Sequence, residues 1–295
     1  MINTLIILVA SSLLIATPYL LAAMGGLTSE RAGVMNIALE GKMLLGACFF
    51  SVAGIATGNV WIGLLSGIAV STLASIVHWV LTQKYRADHI ISGMAINVFA
   101  FGVSSFVVTK MGDSNAKAPS FQSINIELVK NFTWSINPLM IVALVIPFAM
   151  AWVFSKTRIG LWIRAVGSDP DKARLMGIRP TMVRLSGLIL TGIFTGLAGA
   201  ILVSATGQFN EKVSAGKGFI GLAALILGGW RPIPSLVAAL AFAFFETLQQ
   251  QFQGQAVMGL TLPPEFWQSL PYLATVIALG GFVRKTRPPA GMGKP

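Results

Sequence analysis

Polar side chains inside otherwise apolar stretches are the residues of this sequence best placed to bind a polar solute. Asn97 and Glu246 each interrupt such a stretch, and Asn36 and Glu40 lie in a segment that holds four charges between residues 30 and 42. Their amide and carboxylate groups can hydrogen-bond a solute, and the ring of Phe219 can stack on a planar one. The alternative for each residue is structural, as a hydrogen bond between helices or as the partner of a nearby charge.

The sequence contains no comparable set of residues for catalysis or for metal binding. The chain has one cysteine, Cys48, and two histidines, His78 and His89. A disulfide framework and a thiolate metal site are therefore excluded. The histidines lack a carboxylate cluster, which favours packing near a membrane boundary over a metal site. We predict no catalytic residues and no metal site.

The composition shows what must position the polar residues. The 295 residues are 55% hydrophobic and 11% charged, and the mean hydropathy is +0.76. A soluble domain carries about 25% charged residues, so a soluble globular enzyme is excluded. Roughly 20 apolar residues cross a bilayer as a helix, and continuous apolar runs favour helices over a barrel. The sequence therefore predicts an all-α polytopic membrane protein with about nine transmembrane helices, within a range of eight to ten.

Uncharged runs place these helices within one transmembrane domain over residues 1–295. The first run is expected to be a retained span, because it lacks the positive start of a signal peptide. The predicted spans are 4–27, 37–57, 60–82, 90–109, 137–155, 184–206, 217–230, 233–250 and 268–283.

Basic residues orient the chain, because loops rich in Lys and Arg remain on the cytoplasmic side. The 156–184 loop and the 284–295 tail hold 11 of the 21 basic residues and are expected to be cytoplasmic. The 110–136 loop is then external, and so is the N-terminus. The net charge of +11 is thereby attributed to topology and not to nucleic-acid binding.

Two glycine-rich charged segments, 26–42 and 210–230, resemble each other. Each leads without a proper loop into a helix of small residues. The first opens the second predicted span and the other opens the seventh, five spans later, so that the helices have opposite orientations. This arrangement indicates an inverted repeat with broken helices, which line the substrate path in many transporters. The alternative is two ordinary interfacial loops whose glycines allow tight turns.

The sequence of the 156–184 loop predicts a short capped helix over 167–178. Ser168 or Asp169 supplies the N-cap, Pro170 suits the first helical position, and Gly177 ends the helix. An ordered helix in such a loop must pack on something, which is either the inner leaflet or a cytosolic partner.

Four stretches of the sequence carry a family resemblance. The chain resembles the bacterial ABC-transporter permeases of the branched-chain amino acid, ribose and simple-sugar type, and within them the nucleoside-importer branch. It departs from the family pattern at Met35 and Lys42. The matching stretches are Gly26–Glu40, Ile91–Asn97, Arg164–Ile178 and Leu225–Pro234, with Glu246 downstream.

The resemblance implies a division of labour between subunits. Two permeases, related chains or copies of one chain, form the pore in the bacterial inner membrane. Separate ATPase subunits bind ATP and Mg, and an external binding protein or lipoprotein delivers the substrate. This sequence has no P-loop of its own, because Glu211 stands where the motif needs Gly and Gly218 where it needs Ser or Thr. The helix in the cytoplasmic loop then docks on the ATPase through Asp169, Pro170, Ala173, Arg174, Gly177 and Ile178.

The resemblance thus implies the pore-forming subunit of an ATP-driven nucleoside importer, which is not itself an enzyme. An importer of simple sugars or other small polar solutes is the nearest alternative. An ion-coupled secondary carrier is a further alternative and needs a carboxylate relay at mid-membrane, for which Glu246 and Glu40 are the candidates.

Overall fold

A computed structural model describes residues 2–111, 118–129, 132–253, 256–257, 260–261, 263, 265–267, 269, 273, 276–277, 280 and 287–294. The structure is almost entirely helical, as predicted. Its helices are α1 (Ile2–Arg31), α2 (Leu39–Thr57), α3 (Val60–Trp79, continued by a π-helical turn Val80–Lys84), α4 (His89–Met111), α5 (Pro138–Lys156), α6 (Arg158–Ser168), α7 (Pro170–Leu175), α8 (Pro180–Thr206), α9 (Lys217–Leu227) and α10 (Pro232–Phe252).

Seven of these helices are long and apolar enough to cross a membrane, namely α1 to α5, α8 and α10. They correspond to the first six predicted spans and the eighth, so the chain is a multi-pass membrane protein. The seventh predicted span, 217–230, is wrong as a full crossing: α9 has 11 residues and is only about 16 Å long. Most of the ninth, 268–283, lies outside the described residues, so the count of nine is not confirmed.

Small residues bring the central helices α1, α2, α3 and α8 close together. A Cβ atom built on Gly46 of α2 would lie 2.8 Å from the Cα atom of Gly196 on α8, and one on Gly192 would lie 2.3 Å from the Cα atom of Thr72 on α3. Such backbone approach is the usual packing of membrane helices. The core of the bundle therefore leaves no room for side chains at these crossings.

Helix α1 ends at Arg31, and residues 32–38 form a non-helical segment before α2. A Cβ atom on Gly26 would touch the side chains of both Leu39 and Leu225. The start of α2 and the body of the short helix α9 therefore lie at the level of the last turns of α1. The two glycine-rich segments that the sequence singled out meet here.

The loops differ from their predicted form in two places. The 156–184 segment contains an additional amphipathic helix, α6, which buries Gly160, Ile163 and Val166 and exposes Leu161 and Trp162. The 110–136 loop contains an antiparallel hairpin of β1 (Ile124–Val129) and β2 (Phe132–Ile136). A second, very short pair joins β3 (Ala256–Val257) to β4 (Leu260–Thr261).

Part of the predicted 284–295 tail packs against the corner between α6 and α7. The backbone N–H of Gly291 donates to the carbonyl of Gly167 at 2.8 Å, and that of Gly293 donates to the carbonyl of Gly33 at 3.0 Å. The tail segment 287–294 therefore connects the 156–184 loop to the turn that follows α1.

Candidate translocation path and docking helix

Two helix breaks lie in the bundle, one between α1 and α2 (residues 32–38) and one between α8 and α9 (residues 207–216). Glu40 joins them. One carboxylate oxygen accepts the backbone N–H of Gly216 at 2.8 Å, and the other accepts that of Gly218 at 2.6 Å. These N–H groups belong to the start of α9, where no residue of the helix itself can accept them. A carboxylate also interacts favourably with the positive end of the helix dipole. Glu40 of the first break thus caps the short helix of the second.

Asn36 lies in a fully buried polar cluster below this cap. Its side-chain oxygen accepts from Lys42 Nζ at 2.9 Å, and its amide nitrogen donates to Ser29 Oγ at 3.0 Å. The carboxylate of Glu30 accepts the backbone N–H of Asn36 at 3.2 Å and the indole N–H of Trp230 at 2.6 Å. Lys42 and Glu30 therefore both bond to Asn36, Lys42 to its side chain and Glu30 to its backbone. The bond from Trp230 to Glu30 holds the loop after α9 against the end of α1.

Asn97 bridges α4 to the start of α2. Its side-chain oxygen accepts the backbone N–H of Gly41 at 2.8 Å, and its amide nitrogen donates to the carbonyl of Ile37 at 3.1 Å. Both groups lie at the helix break, where backbone atoms lack intrahelical partners. In this structure Asn97 therefore braces the helix break by holding the start of α2 against α4.

Glu246 lies on the wall of a cavity between α1, α5, α8 and α10. The cavity has a volume of about 430 Å³, which falls within the range of small-molecule sites. Glu246 Oε1 is 3.8 Å from Lys217 Nζ, and both side chains are largely buried. The lining combines this ion pair with neutral polar groups and an apolar wall. The neutral polar residues are Thr17, Ser123, Ser135, Asn137, Ser204, Thr206 and Gln250.

The predicted path residues therefore occupy three places. Asn36, Glu40 and Asn97 surround the helix breaks, and Glu246 lies on the cavity wall. Phe219, on the first turn of α9, is partly exposed and does not line this cavity. The cavity residue that the sequence analysis missed is Lys217, although a lysine that opens an apolar helix in a membrane protein is a signal of a polar site.

The short helix α7, which the sequence predicts to dock on a partner, has the predicted caps. Asp169 is the N-cap, and its Oδ1 accepts the backbone N–H groups of Asp171 and Lys172, both at 3.1 Å. Lys172 Nζ lies 3.2 Å from the other oxygen. The N–H and the ammonium group of Lys172 together hold the pKa of the exposed Asp169 carboxyl below its usual range. Gly177 follows the helix with φ of +80°, a conformation that glycine adopts without strain.

One side of α7 packs against the bundle, and the other side is exposed. Pro170 and Ala173 are buried, and Ile178 packs on the same apolar cluster as Ala173. Leu175 and Met176, at the end of the helix, are 88% and 76% exposed. Large apolar side chains so exposed outside the spans make this end of α7 a candidate docking surface. Arg174, also exposed, is 3.4 Å from Asp171.

Leu175 and Met176 were absent from the predicted docking set. The predicted set consists of residues that define the helix, such as Asp169 and Gly177, and of residues that hold it against the bundle, such as Pro170 and Ala173. Which face of a helix of six residues points outward is decided by what it packs on, and the sequence of α7 alone does not contain that information.

Comparisons with known proteins agree with this architecture. The family model described as "Branched-chain amino acid transport system / permease component" matches residues 8–279. The chain is 34% identical to the nucleoside ABC transporter permease protein NupC of Lactococcus lactis, over 99% of this chain and 97% of NupC. It is also 34% identical to the guanosine ABC transporter permease protein NupQ of Bacillus subtilis, over 100% of this chain and 97% of NupQ.

A solved structure supports the fold. It is an inward-facing conformation of an ABC transporter assigned to the metal-chelate type, and it superposes with a TM-score of 0.53 over 94% of this chain and 85% of that chain, at 14% identity. At that identity the likeness concerns the fold alone. The family match covers nearly the whole bundle, including both helix breaks and α7, and the chain belongs to the family of branched-chain amino acid transport system permease components.

Proposed function

We propose that this chain is the pore-forming permease subunit of an ATP-driven importer for nucleosides in the bacterial inner membrane. The observation that carries the proposal is the docking helix α7, which is capped and anchored while Leu175 and Met176 are exposed. Such a surface outside the spans requires a partner. The relatives NupC and NupQ, named for nucleoside and guanosine transport, suggest the substrate class.

The partner at α7 is a separate ATPase subunit. Since this chain carries no P-loop motif, ATP and Mg are bound by that partner. A second permease, either a related chain or a copy of this one, completes the pore, and an external binding protein or lipoprotein delivers the substrate. This chain is then a transport subunit without catalytic residues or a metal site of its own.

The cavity beside Glu246 is the part of the path that a nucleoside would contact. Asn137 and Gln250 offer amides for the edge of a base, and Ser204 and Thr206 offer hydroxyl groups for a sugar. The apolar wall contributed by α1 suits the face of a base. A simple sugar would use the hydroxyl and amide groups but not this wall, and it is the second candidate.

The second helix break adjoins that cavity through Lys217, the first residue of α9. Glu40, Asn36 and Asn97 hold the start of α2 against the start of α9, and Phe219 lies on the first turn of α9. When the ATPase pair closes, α7 is displaced and moves α6 and α8, which flank it. The close crossings between α8 and α2 then transmit the displacement to the breaks, so that ATP binding shifts the population between outward-open and inward-open states.

Uptake of labelled guanosine in cells tests the substrate class and the partners together. The cells lack other nucleoside carriers and express this chain with its ATPase, its second permease and its binding protein. We expect uptake that an excess of unlabelled nucleoside abolishes and an excess of glucose or ribose does not. Competition by the sugar alone would overturn the nucleoside assignment, and undiminished uptake without the ATPase would overturn the coupling.

A further inference from the structure

Three arginines converge on one pocket at the end of the bundle where α1 ends. Arg31 is the last residue of α1, Arg164 is on α6, and Arg231 immediately precedes α10. They line a pocket of about 310 Å³. Its remaining walls come from the end of α5 and the start of α10, namely Ala151, Phe154, Ser155, Pro232, Ile233 and Pro234.

The positive charges of this pocket lack anionic partners in the described part of the chain. None of the three ion pairs found there includes Arg31, Arg164 or Arg231. The Nε atom of Arg31 is buried without a hydrogen-bond partner, and Arg164 donates only a long bond of 3.4 Å to the carbonyl of Gly160. The nearest carboxylate in sequence, Glu30, is already used by Trp230 and Asn36.

Like charges held together raise the free energy of the folded chain unless an anion lies between them. A buried guanidinium N–H that is not hydrogen-bonded adds the cost of its desolvation. A phosphate group fits both requirements, because guanidinium groups bind phosphate oxygens in a paired, planar geometry. The polar end of the pocket therefore has the chemistry of a phosphate site.

The apolar end of the pocket distinguishes a lipid from a free ion. From the pocket towards the middle of the membrane, α5 exposes Trp152 and Phe148, and α10 exposes Ile233 and Val237. Each pair is spaced by four residues and so lies on one helix face. These two apolar strips begin at the pocket and follow the bilayer interior, where the acyl chains of a lipid lie beneath its headgroup.

We propose that Arg31, Arg164 and Arg231 form a binding site for an anionic phospholipid of the inner leaflet, with the phosphate between the three guanidinium groups and an acyl chain along α5 and α10. The site lies at the level of the lipid headgroups, because the arginines are next to the ends of spans α1, α5 and α10. Basic pockets between membrane helices on the cytoplasmic side bind anionic headgroups in this way. The proposal does not depend on the substrate or on the ATPase.

Native mass spectrometry of the transporter from phosphatidylcholine nanodiscs, with and without phosphatidylglycerol, tests this site. The wild type is expected to retain phosphatidylglycerol in preference to phosphatidylcholine. Arg164→Gln and Arg231→Gln should each weaken that retention by roughly fivefold, which corresponds to about 1 kcal/mol for each basic group. Arg164→Lys should recover most of the loss, because it retains the charge.

Arg158→Gln is the matched control, since Arg158 is also exposed on α6 but does not line the pocket. It should leave lipid retention unchanged. Both test variants change exposed residues, so the fold should be preserved and melting temperature in plain detergent should confirm this. Equal retention by the variants and the wild type would overturn the proposal.

Two further outcomes would also overturn it. Thermal stabilisation by inorganic phosphate in phosphatidylcholine nanodiscs, equal to that by phosphatidylglycerol, would show that the pocket takes a free anion. Loss of the ATPase from the complex in the Arg164→Gln, Arg231→Gln double variant, with lipid retention unchanged, would assign the arginines to a protein partner.

Discussion

Glu40 accepts the backbone N–H of Gly218 at 2.6 Å, and so a carboxylate from the first helix break caps the helix that begins at the second. The two residues are far apart in sequence and come from the two segments whose similarity suggested a repeat. A helix start inside a membrane needs such a partner, because lipid cannot satisfy its free N–H groups. The same contact gives the Glu40 carboxylate its partners inside the bundle.

Removal of the Glu40 charge should destabilise the protein and impair transport together. Glu40→Gln retains one acceptor oxygen but loses the charge that strengthens both bonds. Hydrogen bonds to charged groups contribute about 1.5–3 kcal/mol each, and part of this is lost. Thermal unfolding in detergent should show a lower melting temperature. Glu211→Gln is the control, because Glu211 bonds a single serine hydroxyl, that of Ser105, at 2.8 Å, and an equal loss there would contradict the special role of Glu40.

Substitutions of Lys217 and Glu246 should have non-additive effects, because the two side chains form an ion pair in the cavity. Lys217→Met or Glu246→Gln leaves the other group in a largely buried site without its partner, whereas the double variant removes both charges. We expect a coupling energy of about 0.5–3 kcal/mol in a double-mutant cycle, measured by unfolding and by the affinity for substrate. Strictly additive effects would show that the ion pair contributes nothing to the cavity.

Truncation of the exposed apolar residues of α7 should weaken ATPase binding. Leu175→Ala and Met176→Ala each remove a side chain whose burial contributes about 1.5–3 kcal/mol, so each should weaken association by roughly tenfold or more. A pull-down titration with the ATPase measures this. Leu161→Ala, an equally apolar exposed change on α6, should have no effect. ATPase binding that is insensitive to both α7 variants would place the docking surface elsewhere.

The cap of α7 should be insensitive to pH over the working range. The pKa of Asp169 is depressed below its ordinary value of 3.8, chiefly by the backbone N–H of Lys172. A depressed carboxyl contributes its stability above the unfolded-state pKa and loses it as the pH falls through the folded-state value. The ratio of ATP hydrolysed to solute transported should therefore be constant from neutral pH to about pH 5.

Two variants separate the cap from the charge at the same position. Asp169→Asn, which caps helices about as well as Asp, should keep that ratio near the wild-type value. Asp169→Ala should raise it, because the docking helix is no longer fixed at its start. A rise in Asp169→Asn as large as that in Asp169→Ala would mean that the charge, and not the cap, is what the partner needs.

The sequence was most informative where local chemistry decides structure. Uncharged runs located seven full spans, and the caps at Asp169 and Gly177 located α7, because capping depends on a few adjacent residues. It failed for α9, since an apolar run of that composition is compatible with a full span or a half-helix. Only the packing of Gly218 on Glu40 and of Gly221 on Ala22 shows where the helix begins in the bundle.

The same limit applies to the candidate site. Asn97 and Asn36 were recognised as unusual, but their hydrogen-bond partners lie across the helix break and depend on the tertiary fold. Lys217 and the outward face of Leu175 depend on contacts between distant segments as well. Residue type therefore marked Asn36 and Asn97 as unusual, and three-dimensional packing showed that both brace the helix break.

The ATP dependence of transport by purified components is the most direct test of the proposed importer function. The proteoliposomes contain this chain together with its second permease and the ATPase. The binding protein and labelled guanosine are added outside. Mg·ATP and an ion gradient are supplied in separate experiments. Uptake is expected with Mg·ATP on the side of the ATPase, and loss of uptake is expected when Leu175 and Met176 are both replaced by Ala. Uptake by this chain alone, driven by an ion gradient without the ATPase, would contradict the importer and indicate a secondary carrier.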